Sequence, residues 1–229
     1  MQRWRMTRML RHHPIPHNFW RSVTRSMPVL SGLDAVQMAH LRELTTWWFL
    51  HNKSINGVQG LEVTLAMRVA VAAQACLLIL NMDIDYFDRW VEVIIYPGAF
   101  RVNHAQVDAI GLVHDEACDL SGESWLRGPV ILSWDDVKRD SYHSRAGHNV
   151  VLHEFAHKLD GLNGVANGMP PLRHGMSRKR WAEELSKAYA ALCLEVSAGE
   201  SACINPYAAT SPAEFFAVAS EYFLLRRKF

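Results

Sequence analysis

The sequence predicts an α+β fold, a small mixed β-sheet packed with helices. Three observations predict it. Stretches with helical apolar spacing occupy 31–53, 64–80, 179–196 and 212–225. Between about 90 and 134, short β-branched and aromatic runs alternate with Gly and Pro turn signals. The stretch 148–161 then reads HNVVLHEFAHKLDG, an apolar helix carrying the pattern H-E-x-x-H.

With 229 residues, 49% hydrophobic and 21% charged, the chain has the composition of a globular protein that can bury a large core. A net charge of +1 supplies no field for nucleic acid, and no direct nucleic-acid contact is expected. No segment approaches the ~18 uninterrupted apolar residues of a membrane span. The longest candidate, 69–80, carries Gln74 and reads as a buried core helix. The N-terminus has arginines but no apolar core of a secretory signal. Cys76, Cys118, Cys193 and Cys203 show no C-x-x-C spacing and read as reduced thiols of a cytoplasmic protein.

Residues 1–30 read as a basic N-terminal arm. No acid occurs before Asp34, while Arg3, Arg5, Arg8, Arg11, Arg21 and Arg25 are interleaved with Trp4 and Trp20. Clustered Arg with aromatics suits anionic lipid or RNA. Broken by Pro14 and Pro16, this cluster reads instead as an arm packing onto the domain. From 31 to 53, Leu33, Val36, Met38, Leu41, Leu44, Trp47, Trp48 and Leu50 form an apolar stripe that Ser31 or Asp34 could begin. Asn56-Gly57 and Gly60 break the chain, and Thr64 caps a second helix running to Leu80.

A strand over 90–96 ends at Pro97-Gly98, and 100–103 and 109–113 are further strands. Ser121-Gly122 marks a turn, and Gly128-Pro129 introduces a strand over 130–134. Asp135 and Asp136 begin a short turn or helix. After the H-E-x-x-H helix, a Gly-, Asn- and Pro-rich loop leads to a helix over 179–196 capped by Ser177. Ser211-Pro212-Ala213-Glu214 starts the last helix, with Pro at its first position.

His153 and His157 lie four apart, hence on one helix face, and can present imidazole nitrogens to one zinc ion. Glu154, beside the first histidine, can act as general base to a water. Gly161 stands where a C-cap glycine belongs, whereas Lys158 puts a charge where such helices usually have none. A third protein ligand is needed. Glu214 and Glu221, seven apart on the final helix, both remain open by spacing. Asp160 is a candidate to steady a ligand histidine, or an exposed acid of the last turn.

HEFAHKLD, the upstream SGESWLRGPVILSWDDV and the downstream INPYAATSPAEFFAVASEYF together resemble the Mlc titration factor A family, bacterial zinc peptidases of the gluzincin kind. HPIP near the start and VIIYPGAF in the middle extend the likeness over most of the chain. The resemblance implies a zincin-like metallopeptidase domain over 31–229, with a helical part of about 31–88 and a catalytic part of about 89–229. It implies one Zn2+ per chain, with the glutamate of the P-A-E motif, Glu214, as third ligand beside His153 and His157. It makes Tyr207 an assistant to catalysis alongside Glu154. The substrate would be a peptide or protein, paired in extended form with the edge strand at 130–134. The family's name adds a transcriptional repressor as a partner. The competing reading is a non-catalytic regulator that sequesters a transcription factor, with zinc structural or vestigial. Two departures stand out: His148 occupies a position where members often carry an aromatic, and members continue for several helical turns beyond the position of Phe229.

Overall fold

The structure, a computed structural model, describes residues 10, 14–51, 54–82, 84–87, 92–98, 100–107, 113–120, 122–124, 128–143 and 147–226. Helix α1 (His17–Thr24) starts after Pro16, whose ring fixes φ at the helix entry. Trp20, Val23 and Met27 follow helical spacing and turn inward, while Arg21 and Arg25 stay exposed. Together with Ile15, Val29 and Leu30 they join the main core, so from Ile15 onward the stretch read as a basic arm packs onto the domain. Apolar residues set between the arginines at helical intervals are the cause.

Helix α2 (Ala35–His51) is entered through reciprocal bonds between Asp34 and Gln37, at 2.8 and 3.0 Å. Its stripe buries Leu41, Leu44, Trp47 and Trp48, but Val36, expected on that stripe, is 78% exposed in the first turn. Strand β1 (Ser54–Gly57) follows, then helix α3 (Leu65–Leu78), capped by Thr64, whose hydroxyl accepts the Met67 N–H at 3.2 Å. Residues 69–77 of α3 are all buried, because α3 packs against both α2 and the helix that carries the histidine pair.

Strands β2 (Glu92–Tyr96), β5 (Gly122–Ser124) and β6 (Val130–Ser133) complete a sheet of order β1-β2-β6-β5. Its first three strands are parallel and β5 runs antiparallel to β6. The sheet is therefore mixed, as expected. The strand at 130–134, expected at an edge, is interior: β6 has β2 on one side and β5 on the other. A three-residue strand beginning at Gly122 is too short to show alternation, which is why that stretch reads as a turn. Strands β3 (Phe100–Val107) and β4 (Val113–Leu120) form a separate antiparallel pair; β3 is longer than the run read at 100–103, and β4 shares only Val113 with the run read at 109–113. Positions 90–91 and 109–112 of the expected strands lie outside the described residues.

Helix α4 (Trp134–Tyr142) follows β6 directly, capped by Ser133. Helix α5 (Val150–Asp160) holds the H-E-x-x-H residues and packs on the last helix, α7 (Pro212–Arg226). Helix α6 (Arg178–Ser197) forms a smaller apolar cluster with α7 through Leu192, Ala208, Phe215 and Val218. Gly161 is the C-cap residue of α5, as the sequence suggests, though without a left-handed conformation. Its φ is −73°, the chain continues as a 3-10 turn through Asn163, and Gly164 takes the positive φ instead. Among the described residues no helix is long and apolar enough to cross a membrane.

Gly147 sets how α5 is entered. Its φ is +72°, and a Cβ there would stand 1.9 Å from the Tyr222 ring of α7. A Gly147→Ala variant therefore meets left-handed strain and a ring overlap together, and should lose roughly 2–4 kcal/mol of stability. Urea denaturation followed by circular dichroism checks this; an unchanged midpoint would show that the α5–α7 contact is looser than described.

Candidate metal centre

Helix α5 is built with two kinds of face. Asn149 caps it, its side-chain oxygen accepting the Leu152 N–H at 2.9 Å. Val150, Val151, Leu152, Phe155, Ala156 and Leu159 are buried, and Phe155 meets Trp48 and Phe87 edge-on at centroid distances of 6.0 and 5.6 Å. That packing fixes the rotation of the helix, which turns His153 and His157 toward α7. Their Nε2 atoms approach to 3.2 Å.

Glu214, in the first turn of α7, completes the cluster. Its backbone N–H is taken by the Ser211 hydroxyl at 3.1 Å. Its Oε2 lies 3.1 Å from His153 Nε2 and its Oε1 3.3 Å from His157 Nε2. One candidate ligand atom from each of His153, His157 and Glu214 lies within 4.8 Å of the others. Glu221 is not in this group. It sits on the opposite side of the same ring, with Oε1 2.8 Å from His153 Nδ1, and its Oε2 accepts the Asn149 backbone N–H. Spacing left the two glutamates open; the fold gives them different atoms of one imidazole.

The residues present fit a zinc ion. With Nδ1 turned to Glu221, His153 directs Nε2 at the other histidine and at Glu214, where a zinc ion would take the place of a proton. Glu214 Oε2 is close to His153 Nε2 but poorly aligned, a buried oxygen without a hydrogen-bond partner. Two imidazoles and one carboxylate is a donor set found in catalytic zinc sites. The electrostatics agree. Burial opposes charge on His153, but the Glu214 and Glu221 carboxylates outweigh it and push its pKa up to about 10. Burial likewise opposes charge on Glu214, yet the two imidazoles hold it down at about 2. The cluster gathers positive charge around its carboxylates in the space where a cation would sit.

Glu154 is buried next to this cluster. Lys158, whose charge seemed out of place in the sequence, is buried too and donates to the Gly128 carbonyl at 2.7 Å. Burial draws its pKa down to about 8, against the opposing pull of Glu154. Tyr207 lies on a 3-10 turn (Pro206–Ala209) whose Asn205 cap accepts the Tyr207 N–H at 3.0 Å. Its ring is 6.3 Å from that of His153, and it is 51% exposed. Burial first, then the charges of Glu214 and Glu154, raise the pKa of its hydroxyl, which therefore stays a proton donor at neutral pH.

Asp160 is fully buried rather than exposed, and one of its oxygens accepts the Gly168 N–H at 2.7 Å, tying the following loop to the end of α5. The histidine-steadying role considered for it is filled at His153 by Glu221. His148 turns to Asp140, at 3.0 Å. Two further residues were not singled out by the sequence reading as part of the site. Asn149 gives no motif signal, and Gln74 shows only as one polar residue in an apolar run.

The family model for glucose-regulated metallo-peptidase M90 matches residues 1–228. A protein of Klebsiella pneumoniae (strain 342) named Mlc titration factor A is 42% identical over 203 residues, covering 86% of this chain and 74% of that protein. Proteins of the same name from Enterobacter sp. (strain 638) and Salmonella paratyphi B are 41% and 42% identical over the same shares. Agreement over nearly the whole length, on a chain that gathers His153, His157 and Glu214, makes the assignment plain: the chain belongs to the glucose-regulated metallo-peptidase M90 family.

Proposed function

We propose that this protein is a zinc-dependent peptidase with a zincin-like fold, in which His153, His157 and Glu214 hold one zinc ion. The observation that carries the reading is the convergence of two Nε2 atoms and a carboxylate at 3.1–3.3 Å, with the far side of one ring committed to Glu221. A zinc ion held there supplies a Lewis acid that polarises a scissile carbonyl and lowers the pKa of water.

The chain's own groups do the rest. Glu154, adjacent to His153 and buried, takes the proton of the attacking water at a carboxylate oxygen and delivers it to the leaving amine. The Tyr207 hydroxyl, kept protonated by its surroundings, donates to the oxyanion that develops at the carbonyl. Lys158 brings a positive charge into interaction with Glu154, which favours the ionised base before proton transfer. Among the described residues β5, not β6, is the sheet edge beside α5, so an extended substrate peptide would pair with residues 122–124.

A second reading is binding of a transcriptional repressor, favoured by the name Mlc titration factor A that the curated relatives carry. The two readings separate on Glu154→Gln. This variant removes the base while leaving both histidines and Glu214, so hydrolysis of a short peptide should fall by roughly 10²–10⁴ with fold and zinc content kept. Undiminished hydrolysis would remove Glu154 from the chemistry. Retained repressor capture by the same variant would support binding as a separate activity.

Anomalous scattering at the zinc edge should give one peak per chain, bounded by His153, His157 and Glu214. A peak on Glu221, with Glu214 turned to solvent, would overturn the ligand set. For Tyr207→Phe, kcat and kcat/KM should drop in parallel by ~10²–10³, the size expected for one lost oxyanion donor. A raised KM with kcat intact would assign Tyr207 to substrate binding.

A further inference from the structure

We infer that Gln74 and Asn149 are positioning residues for the metal centre, acting through Glu221 on the His153 ring. The inference rests on the zinc reading above. Four elements meet at one buried hydrogen-bonded chain. Gln74, on α3, is fully buried, and its amide nitrogen donates to the Ala70 carbonyl at 3.0 Å and to the Ser141 hydroxyl at 2.8 Å. With both donors engaged, its carbonyl oxygen is left to accept the Asn149 side-chain N–H at 2.6 Å. Asn149 is held at its other end as well, since its side-chain oxygen accepts the Leu152 N–H. A side chain pinned at both ends fixes its own backbone, and the Asn149 backbone N–H points at Glu221 Oε2. The other Glu221 oxygen receives His153 Nδ1.

A plain N-cap does not require the Gln74 contact, because a serine caps a helix about as well as asparagine does. Nor does core packing call for a glutamine at Gln74, where the neighbours Val69, Ala70, Val71, Ala72, Ala73 and Ala75 are apolar and buried. What the amide adds is direction. It orients the backbone donor that holds the Glu221 carboxylate, and the carboxylate orients the imidazole whose Nε2 faces the cluster. Partners of this kind alter metal affinity without touching the metal.

The test uses Gln74→Leu, Asn149→Ser and the double variant of the full chain. Serine keeps the cap but is too short to reach Gln74. Zinc affinity is measured by chelator competition, the Asn149 amide exchange rate in metal-free protein by NMR, and the thermal midpoint in parallel. Each single variant should bind zinc about tenfold more weakly, exchange the backbone amide at position 149 faster, and add little when combined with the other. Wild-type zinc affinity in both folded variants, even with a lowered thermal midpoint, would reduce the pair to a structural role and overturn the inference. Additive losses would overturn the chain of action as well. If Gln74→Leu fails to fold, Asn149→Ser decides alone. If the wild-type protein binds no zinc, the zinc reading fails, and unchanged amide exchange in Asn149→Ser would still overturn the coupling.

Discussion

The Glu221 carboxylate lies between α5 and α7, out of water, and must be satisfied by what it finds there. An ionised carboxylate in a protein interior costs several kcal/mol unless hydrogen bonds replace its lost hydration. Here the Asn149 N–H and the His153 ring supply those bonds. Sliding or rotating either helix would strand the charge, so the bonds fix the register of α5 on α7. Glu214 then follows geometrically. It stands seven residues earlier, about two turns along one face, and reaches the Nε2 side of the ring that Glu221 holds by Nδ1. One helix grips one imidazole from both sides.

On its opposite face α5 is held by apolar contact. Phe155 packs edge-on between Trp48 of α2 and Phe87, and α3 packs alongside. This wall also sets the electrical character of the site. Water is excluded behind the histidines, so interactions among His153, Glu214, Glu221 and Glu154 are stronger than they would be at a surface. The same low-dielectric setting explains why the shifts at His153 and Glu214 are large and opposite in sign. Lys158 fits this arrangement because its ammonium reaches the Gly128 carbonyl just before β6, linking the helix to the sheet.

Tyr207 is held differently, on a short turn rather than a long helix. That turn rests on the smaller apolar cluster, where the Tyr189 hydroxyl of α6 donates to the Ala209 carbonyl at 3.1 Å and Ala208 is buried. The role of α6, which contributes no residue to the histidine–carboxylate cluster, becomes intelligible. It supports the turn while leaving the tyrosine ring half exposed beside the histidines. The rigid histidine–carboxylate cluster and the more open tyrosine thus come from two separate packing units meeting at α7.

Much of this was legible in the chain alone, for a local reason. The i, i+4 spacing of His153 and His157, the Thr64 and Ser177 caps, and the helical stripes are properties of a few neighbouring residues. Helix geometry turns such patterns directly into shared faces. Family likeness pointed to Glu214, since spacing could not separate it from Glu221. The tertiary structure decided what depends on contacts remote in sequence. It divided the two glutamates between Nε2 and Nδ1 of one ring, buried Lys158 against Gly128, drew Trp20 and Val23 into the core, and placed β6 inside the sheet beside a strand too short to see. It also tied Gln74 to Asn149 across 75 positions. A lone amide in an apolar run has no periodic signature, and its partner is fixed only when helices packed by their apolar faces bring unsatisfied polar groups together.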